Sequence, residues 1–339
     1  MLLKRIRRLN VFQFIRLLCI ITLGLITFIG CGGGGGDSTP ASPAISYTGI
    51  ITQADITETN AQTLSAGALK GGRTGSVLSG TGAVETGADE NPISIRTLKV
   101  TQALENSLFQ VDLSSISSGP IIGATQSESG SVSGACGGTA SYFIQYNDQT
   151  GDFSGSFTFS GYCEAGVTLS GSASFSGSLD LSDPNNPILD GATFTFSNIS
   201  DGNSTLNGTI DIDLSSSPSI VTFDALFKDG VTGKVYWIKD YEMSITEGVD
   251  GTGYYVDLDI LSGAYYDPDH GYITVETTTP IRAYEINEWP SSGVIVVTGN
   301  YNKKVRLSAI DEIQCEIDAD LDGDGSYEWG PVVKNWADL

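Results

Sequence analysis

The stretch Val167-Thr168-Leu169-Ser170-Gly171-Ser172-Ala173-Ser174-Phe175-Ser176-Gly177-Ser178-Leu179-Asp180-Leu181 alternates without a break. Odd positions are apolar or glycine, and even positions are Thr, Ser or Asp. Only an extended chain puts every second side chain on the same face, so this is a strand with one side on a core and the other in water. Its neighbours read the same way. Leu206, Ile210, Ile212 and Leu214 alternate with polar residues, as do Val221, Phe223, Ala225 and Phe227, then Val235, Trp237, Tyr241, Met243 and Ile245.

Turn signals separate these runs: Asn147-Asp148, Asp183-Pro184-Asn185-Asn186, Asp201-Gly202-Asn203 and Lys228-Asp229-Gly230. They are too short for crossover helices, which forces antiparallel pairing. The expected fold is mainly β: an antiparallel meander over residues 126–339, closed into a barrel-like body or packed as a two-sheet sandwich, because strands with one apolar face need a second layer. The spacing implies twelve to fifteen strands. Phe153-Ser154-Gly155-Ser156 and Leu169-Ser170-Gly171-Ser172 recur 16 residues apart, as suits similar hairpins. A membrane-spanning barrel shares this alternation with its apolar face outward. Against it, the chain ends in Leu339.

Residues 45–125 read as a partly helical, partly disordered preface. Tyr47 to Ile51 suggests a short strand. Ile56 to Leu69 has helical spacing, with Thr57 or Thr59 as the cap and Gly71-Gly72 as the stop. A second helix is expected from about Ser94 to Val111, with Ile95, Leu98, Leu104 and Leu108 on one stripe.

The amino terminus carries Lys4-Arg5-Ile6-Arg7-Arg8, then an apolar run from Leu17 to Ile29, then Gly30-Cys31. This is the plan of an export signal over residues 1–30. The run is short for a membrane span of about 20 residues. The cysteine after a small residue resembles the lipobox of bacterial lipoproteins, with Phe28 in place of the usual Leu. That resemblance implies cleavage before Cys31 and acylation of Cys31 by fatty chains such as palmitate, which hold a protein on a membrane when two or more are present. It also implies the outer membrane of a Gram-negative envelope, because Gly32 stands where an inner-membrane protein has Asp. Residues 31–44, Gly- and Pro-rich, read as a tether that holds the body off the bilayer.

Residues 1–30 carry five of the 17 Lys and Arg and none of the 40 Asp and Glu, so a chain matured at Cys31 has a formal charge near −28. Such a field repels nucleic acid. With 40% hydrophobic residues the charge decorates a folded body rather than a disordered chain. Of the cysteines left after maturation, Cys136 and Cys163 flank Gly-rich turns of adjacent hairpins and are the expected disulfide in an oxidising compartment. Cys315 alternates with Ile313 and Ile317 and reads as a buried thiol.

Few residues offer chemistry. Asp318, Asp320, Asp322, Asp324 and Glu328 form the run D-x-D-x-D-x-D-x-x-x-E, whose mutual repulsion a hard cation would relieve, and which resembles short acidic calcium loops. An Asp-Gly hairpin turn explains the same residues without a metal. His270, the one histidine, lies between Asp269 and Gly271 with Asp267 nearby. It could serve a hydrolase or be a surface residue of a tight turn. No G-x-S-x-G elbow, H-E-x-x-H or Walker loop is present. Aromatics crowd the second half, among them Tyr236, Trp237, Tyr241, Tyr265, Tyr266 and Trp336. They fill a core or line a surface for sugars. Trp289, before Pro290-Ser291-Ser292-Gly293, stands where an exposed binding residue would. That turn, the acidic loop, Asn335-Trp336-Ala337-Asp338-Leu339 and the Thr59-Asn60-Ala61-Gln62 segment resemble a group of Gram-negative lipoproteins to which no activity attaches. The expected role is therefore a membrane-anchored, non-enzymatic binding or structural module for a small-molecule, glycan or protein ligand. A carrier of an apolar ligand and a hydrolase using carboxylates or His270 are the alternatives.

Overall fold

The computed structural model describes residues 45–78 and 125–339 apart from 148, 165–166, 183–187, 285 and 288. The signal, Cys31, the tether and the expected second helix lie outside the described residues. Among the described residues one α-helix, α1 (Ala61–Leu78), precedes the strands β1 (Thr125–Ser133), β2 (Gly137–Asn147), β3 (Asp152–Glu164), β4 (Val167–Asp180), β5 (Ile188–Ser200), β6 (Ser204–Asp213) and β7 (Ser219–Asp229). Then follow β8 (Val235–Val249), β9 (Tyr254–Asp267), β10 (Gly271–Tyr284), β11 (Ser292–Thr298), β12 (Lys304–Ala309), β13 (Gln314–Asp320) and β14 (Trp329–Asn335). Each strand pairs antiparallel with the next, so the fourteen form one meander in sequence order, within the expected twelve to fifteen.

The sheet neither closes nor doubles. Among the described residues β1 and β14 do not pair, and there is no second sheet. The second layer over β7 to β13 is α1, which contacts β7, β8, β9, β11, β12 and β13. Leu64 to Leu69 are six consecutive buried helical residues. At 100° per residue they sweep past a full turn, so the sheet curls around the helix rather than lying beneath it. The barrel-like curvature is thus achieved around a solid helical filling. Register shifts in β8 beside Asp240 (φ 51°) and in β10 between Ile273 and Ile281 bend the strands for this purpose.

In β3 and β4 the inward face interlocks large with absent side chains. Phe153 opposes Gly177, Gly155 opposes Phe175, Phe157 opposes Ala173 and Phe159 opposes Gly171. A Cβ on Gly155 would meet the Phe175 ring at 2.4 Å, and one on Gly177 the Phe153 ring at 2.5 Å. Each ring therefore lies flat across its partner's bare backbone, which is the physical meaning of the repeated Ser-Gly-Ser. Burying such a ring contributes about 2 to 3 kcal/mol. Phe175 and Phe157 extend the layer at 5.9 Å, and Phe194 joins at 6.3 Å.

Two local expectations change. Tyr47 to Ile51 is not a strand; the parallel bridge falls two residues later, Gln53 to Tyr272. Tyr47 spends its hydroxyl on the carbonyls of Asp267 (3.0 Å) and Ile50 (2.9 Å), and the chain bends around them. The helix runs from Ala61, and its entry turn is closed at Thr57, whose carbonyl accepts from the Ala61 amide (3.0 Å) and whose amide donates to Asn60 Oδ1 (2.8 Å). Gly71-Gly72 do not stop it. A Cβ at position 72 would stand 2.9 Å from Ile260, and one at 71 lies 3.3 Å from Ile238 and Tyr241. These glycines permit close approach of helix and sheet, and that contact outweighs their weak helix propensity.

Cys136 and Cys163 are disulfide-bonded, joining the β1–β2 turn to the end of β3, and Cys315 is a buried free thiol, as expected.

Candidate functional site

The acidic loop joins β13 to β14 as a hairpin, and it divides the five carboxylates. Asp320 is fully buried; its Oδ1 accepts from the Gly323 amide at 2.7 Å and its Oδ2 from the Gly325 amide at 2.8 Å. Gly323 and Gly325 have φ of +82° and +93°, where only glycine is unstrained. Glu328 Oε1 accepts from the Leu321 amide at 2.6 Å and closes the loop. Oxygens of Asp320, Asp322 and Glu328 come within 4.8 Å of one another, near enough to share one hard cation. Asp318 and Asp324 are not in this group. Asp318 pairs through both oxygens with Arg306, directly opposite on β12, and Arg306 in turn lies 4.4 Å over the Tyr327 ring. Asp324 accepts from the Ser326 amide at 2.7 Å. Backbone amides thus bind Asp320, Asp322, Asp324 and Glu328, as the Asp-Gly hairpin turn read from the sequence calls for.

At the β9–β10 turn the carboxylates beside His270 are also engaged. Asp267, buried, accepts from the amides of Asp269 (2.8 Å) and His270 (3.1 Å), and Asp269 pairs with Lys234 of the β7–β8 turn. Asp267 thus builds the turn.

The aromatics split by strand parity. Tyr241, Tyr265 and Trp336 are buried. Burial pushes the Tyr241 and Tyr265 hydroxyls well above their ordinary range. Trp237, Tyr266 and Tyr272 are half-buried on the opposite, outward face and stand in register across β8, β9 and β10, with ring centroids 4.8 and 5.0 Å apart. Tyr47 closes on this ladder from outside, 5.6 Å from Tyr266 and 6.1 Å from Trp237. Trp289 is half-buried, stacked on Trp336 at 5.9 Å and 5°, so its ring covers the core.

The outward face of β1 to β6 carries hydroxyls in rows. One row runs Ser129, Phe143, Ser156, Ser174, Thr195, Thr209, and a parallel one runs Ser127, Gln145, Ser154, Ser176, Thr193, Asp211. Rows of this kind repeat about every 7 Å along a strand and about every 4.8 Å between strands. Phe143, exposed, borders a shallow open depression of about 340 Å³ floored by Ser156, Ser174, Ser176, Thr193 and Thr195. Sequence reading passed over this surface because its residues register only as the polar half of the alternation. Their cross-strand alignment comes from the pairing.

Among the described residues no helix is long and apolar enough to cross a membrane. Comparison with known family models, curated proteins and solved structures gives no match. The reading of function therefore rests on the residues themselves.

Proposed function

We propose that the chain is a lipid-anchored envelope protein, held by acylated Cys31, that works by binding rather than catalysis, with the hydroxyl-bearing outward face of β1 to β6 as its binding surface. The observation that carries this reading is the in-register rows of Ser and Thr around Phe143. Aligned hydroxyls that both donate and accept, beside one exposed ring, suit a neutral polyhydroxyl ligand such as a glycan chain. Strong acidity disfavours nucleic acid and anionic partners. Two further observations favour binding over the alternatives. The acids flanking His270 have structural work in the turn, Asp267 with two backbone amides and Asp269 with Lys234. The curled half of the sheet is filled by α1, where a carrier would keep room for its cargo.

Two measurements test the proposal. Intact mass of the purified protein is expected to show acyl chains on Cys31; an unmodified cysteine sinks the anchor. Titration with soluble neutral oligosaccharides, followed by amide chemical shifts, is expected to perturb the Ser and Thr rows and to weaken in Phe143→Ala. Perturbation elsewhere, or none, sinks the assigned surface.

A further inference from the structure

The described chain begins at one end of the sheet, and four exposed apolar side chains gather at that same end. Ile50 and Ile51 (44% and 73% exposed) lie in the segment leading to α1, Val231 (82%) in the β7–β8 turn and Tyr301 (76%) in the β11–β12 turn. One chain of contacts ties these elements into a rim. Ile50 donates to the Pro268 carbonyl of the β9–β10 turn at 3.3 Å, Lys234 pairs with Asp269, Asn300 donates to the Ala54 carbonyl at 2.7 Å, and Lys303 pairs with Asp55 at 2.6 Å. The entering segment is gripped on both sides of the sheet, since Tyr47 packs on the outward ladder and α1 is enclosed within the curl.

Fourteen peptide steps separate Cys31 from Ile45, a reach of at most about 50 Å. That is no more than the length of β8, 15 residues at about 3.3 Å each. We infer that this rim rests on the bilayer, with Ile50, Ile51, Val231 and Tyr301 in its interfacial layer. The inference builds on the lipid-anchored reading above and replaces the picture of a body held clear of the membrane. The anchor keeps the rim near lipid at high local concentration, so a few side chains suffice for contact. Two lysines of the rim, Lys234 and Lys303, are paired with aspartates, and Asp322 and Asp324 of the neighbouring acidic loop are exposed. The surface that fits is therefore zwitterionic lipid rather than an anionic one.

The far end offers an internal control, because Ile286 (75%) and Ile313 (62%) in the β10–β11 and β12–β13 turns are as exposed as the rim residues. The acylated full-length protein is placed in phosphatidylcholine vesicles containing nitroxide-labelled lipid, with a thiol-reactive fluorophore at Ile51→Cys, Val231→Cys or Tyr301→Cys, or at Ile286→Cys or Ile313→Cys. Buried Cys315 stays unlabelled in the folded protein. Lipid quenching is expected to be several-fold stronger at the three rim positions. Equal quenching at both ends, or stronger quenching at the far end, overturns the inference. Should Ile51→Cys misfold, the two turn positions carry the test alone. Intact mass separates the failures: an unacylated protein sinks the anchored reading and this one together, whereas an acylated protein with uniform quenching sinks only the orientation.

Discussion

Gly67 of α1 lies so close to Tyr265 of β9 that a methyl group at position 67 would stand 2.3 Å from the ring's Cε1. In an isolated helix Gly→Ala gains up to about 1 kcal/mol. Here overpacking a helix already enclosed by the sheet costs about 1 to 3 kcal/mol or more, so the packing term wins. Gly67→Ala is expected to lower the urea midpoint with an unchanged slope. A stabilised variant would show that helix and sheet are not in this contact.

Asp320 and Asp324 share a loop and a charge but differ in burial. Asp320→Ala strands the Gly323 and Gly325 amides and is expected to cost about 2 to 3 kcal/mol. Asp324→Ala, at an exposed position, is expected to change stability by less than about 0.5 kcal/mol. Equal losses in thermal melts would refute the assignment of Asp320 as the residue that builds the turn.

Alkali is expected to unfold the protein through its tyrosines. Burial, and after it the charge of Asp267, pushes the Tyr47 hydroxyl up to about 12, and burial raises Tyr241 and Tyr265 as well. A free tyrosine ionises near 10, so above that pH the unfolded chain binds fewer protons than the native one and stability falls as pH rises. The contribution is whole below pH 10 and drains away from there towards 12 for Tyr47. Tyr47→Phe should flatten this decline in pH-dependent urea melts; an unchanged decline would remove Tyr47 from the account.

Burial also pushes the Cys315 thiol up to about 11. At pH 8 it is protonated and shielded, so a thiol reagent should label the native protein negligibly and the denatured protein fully. Fast native labelling would place Cys315 outside the core.

Reduction of Cys136–Cys163 is expected to remove about 3 to 4 kcal/mol, the chain-entropy value for a separation of 27 residues. Urea melts with and without reductant measure it. A loss near zero would mean that the β1–β2 hairpin holds its place without the crosslink.

Strands were legible because a period of two is a local signal that survives without knowledge of the partner. The same holds for Cys315, which alternates with Ile317 on the buried face of β13, although Ile313, read on that face too, lies exposed in the turn before it. The acidic loop was legible only in part. Spacing grouped Asp318 with Asp320, yet Arg306, twelve residues earlier in sequence, faces Asp318 across β12–β13 and claims it. Trp289 looked like an exposed turn residue until Trp336 was found against its face.

What the chain settles alone is which segments extend, where they turn and which face of each is apolar. Those follow from side chains within a few residues of one another. Whether the sheet would close, double or curl, and what would fill its concave side, was decided at long range. Gly67, Gly71 and Gly72 show why: locally a glycine signals a break, but against Tyr265, Tyr241 and Ile260 it is the missing side chain that lets a helix enter. The Ser and Thr rows belong to the same category, since a hydroxyl acquires neighbours on other strands only once fourteen of them have chosen a common register.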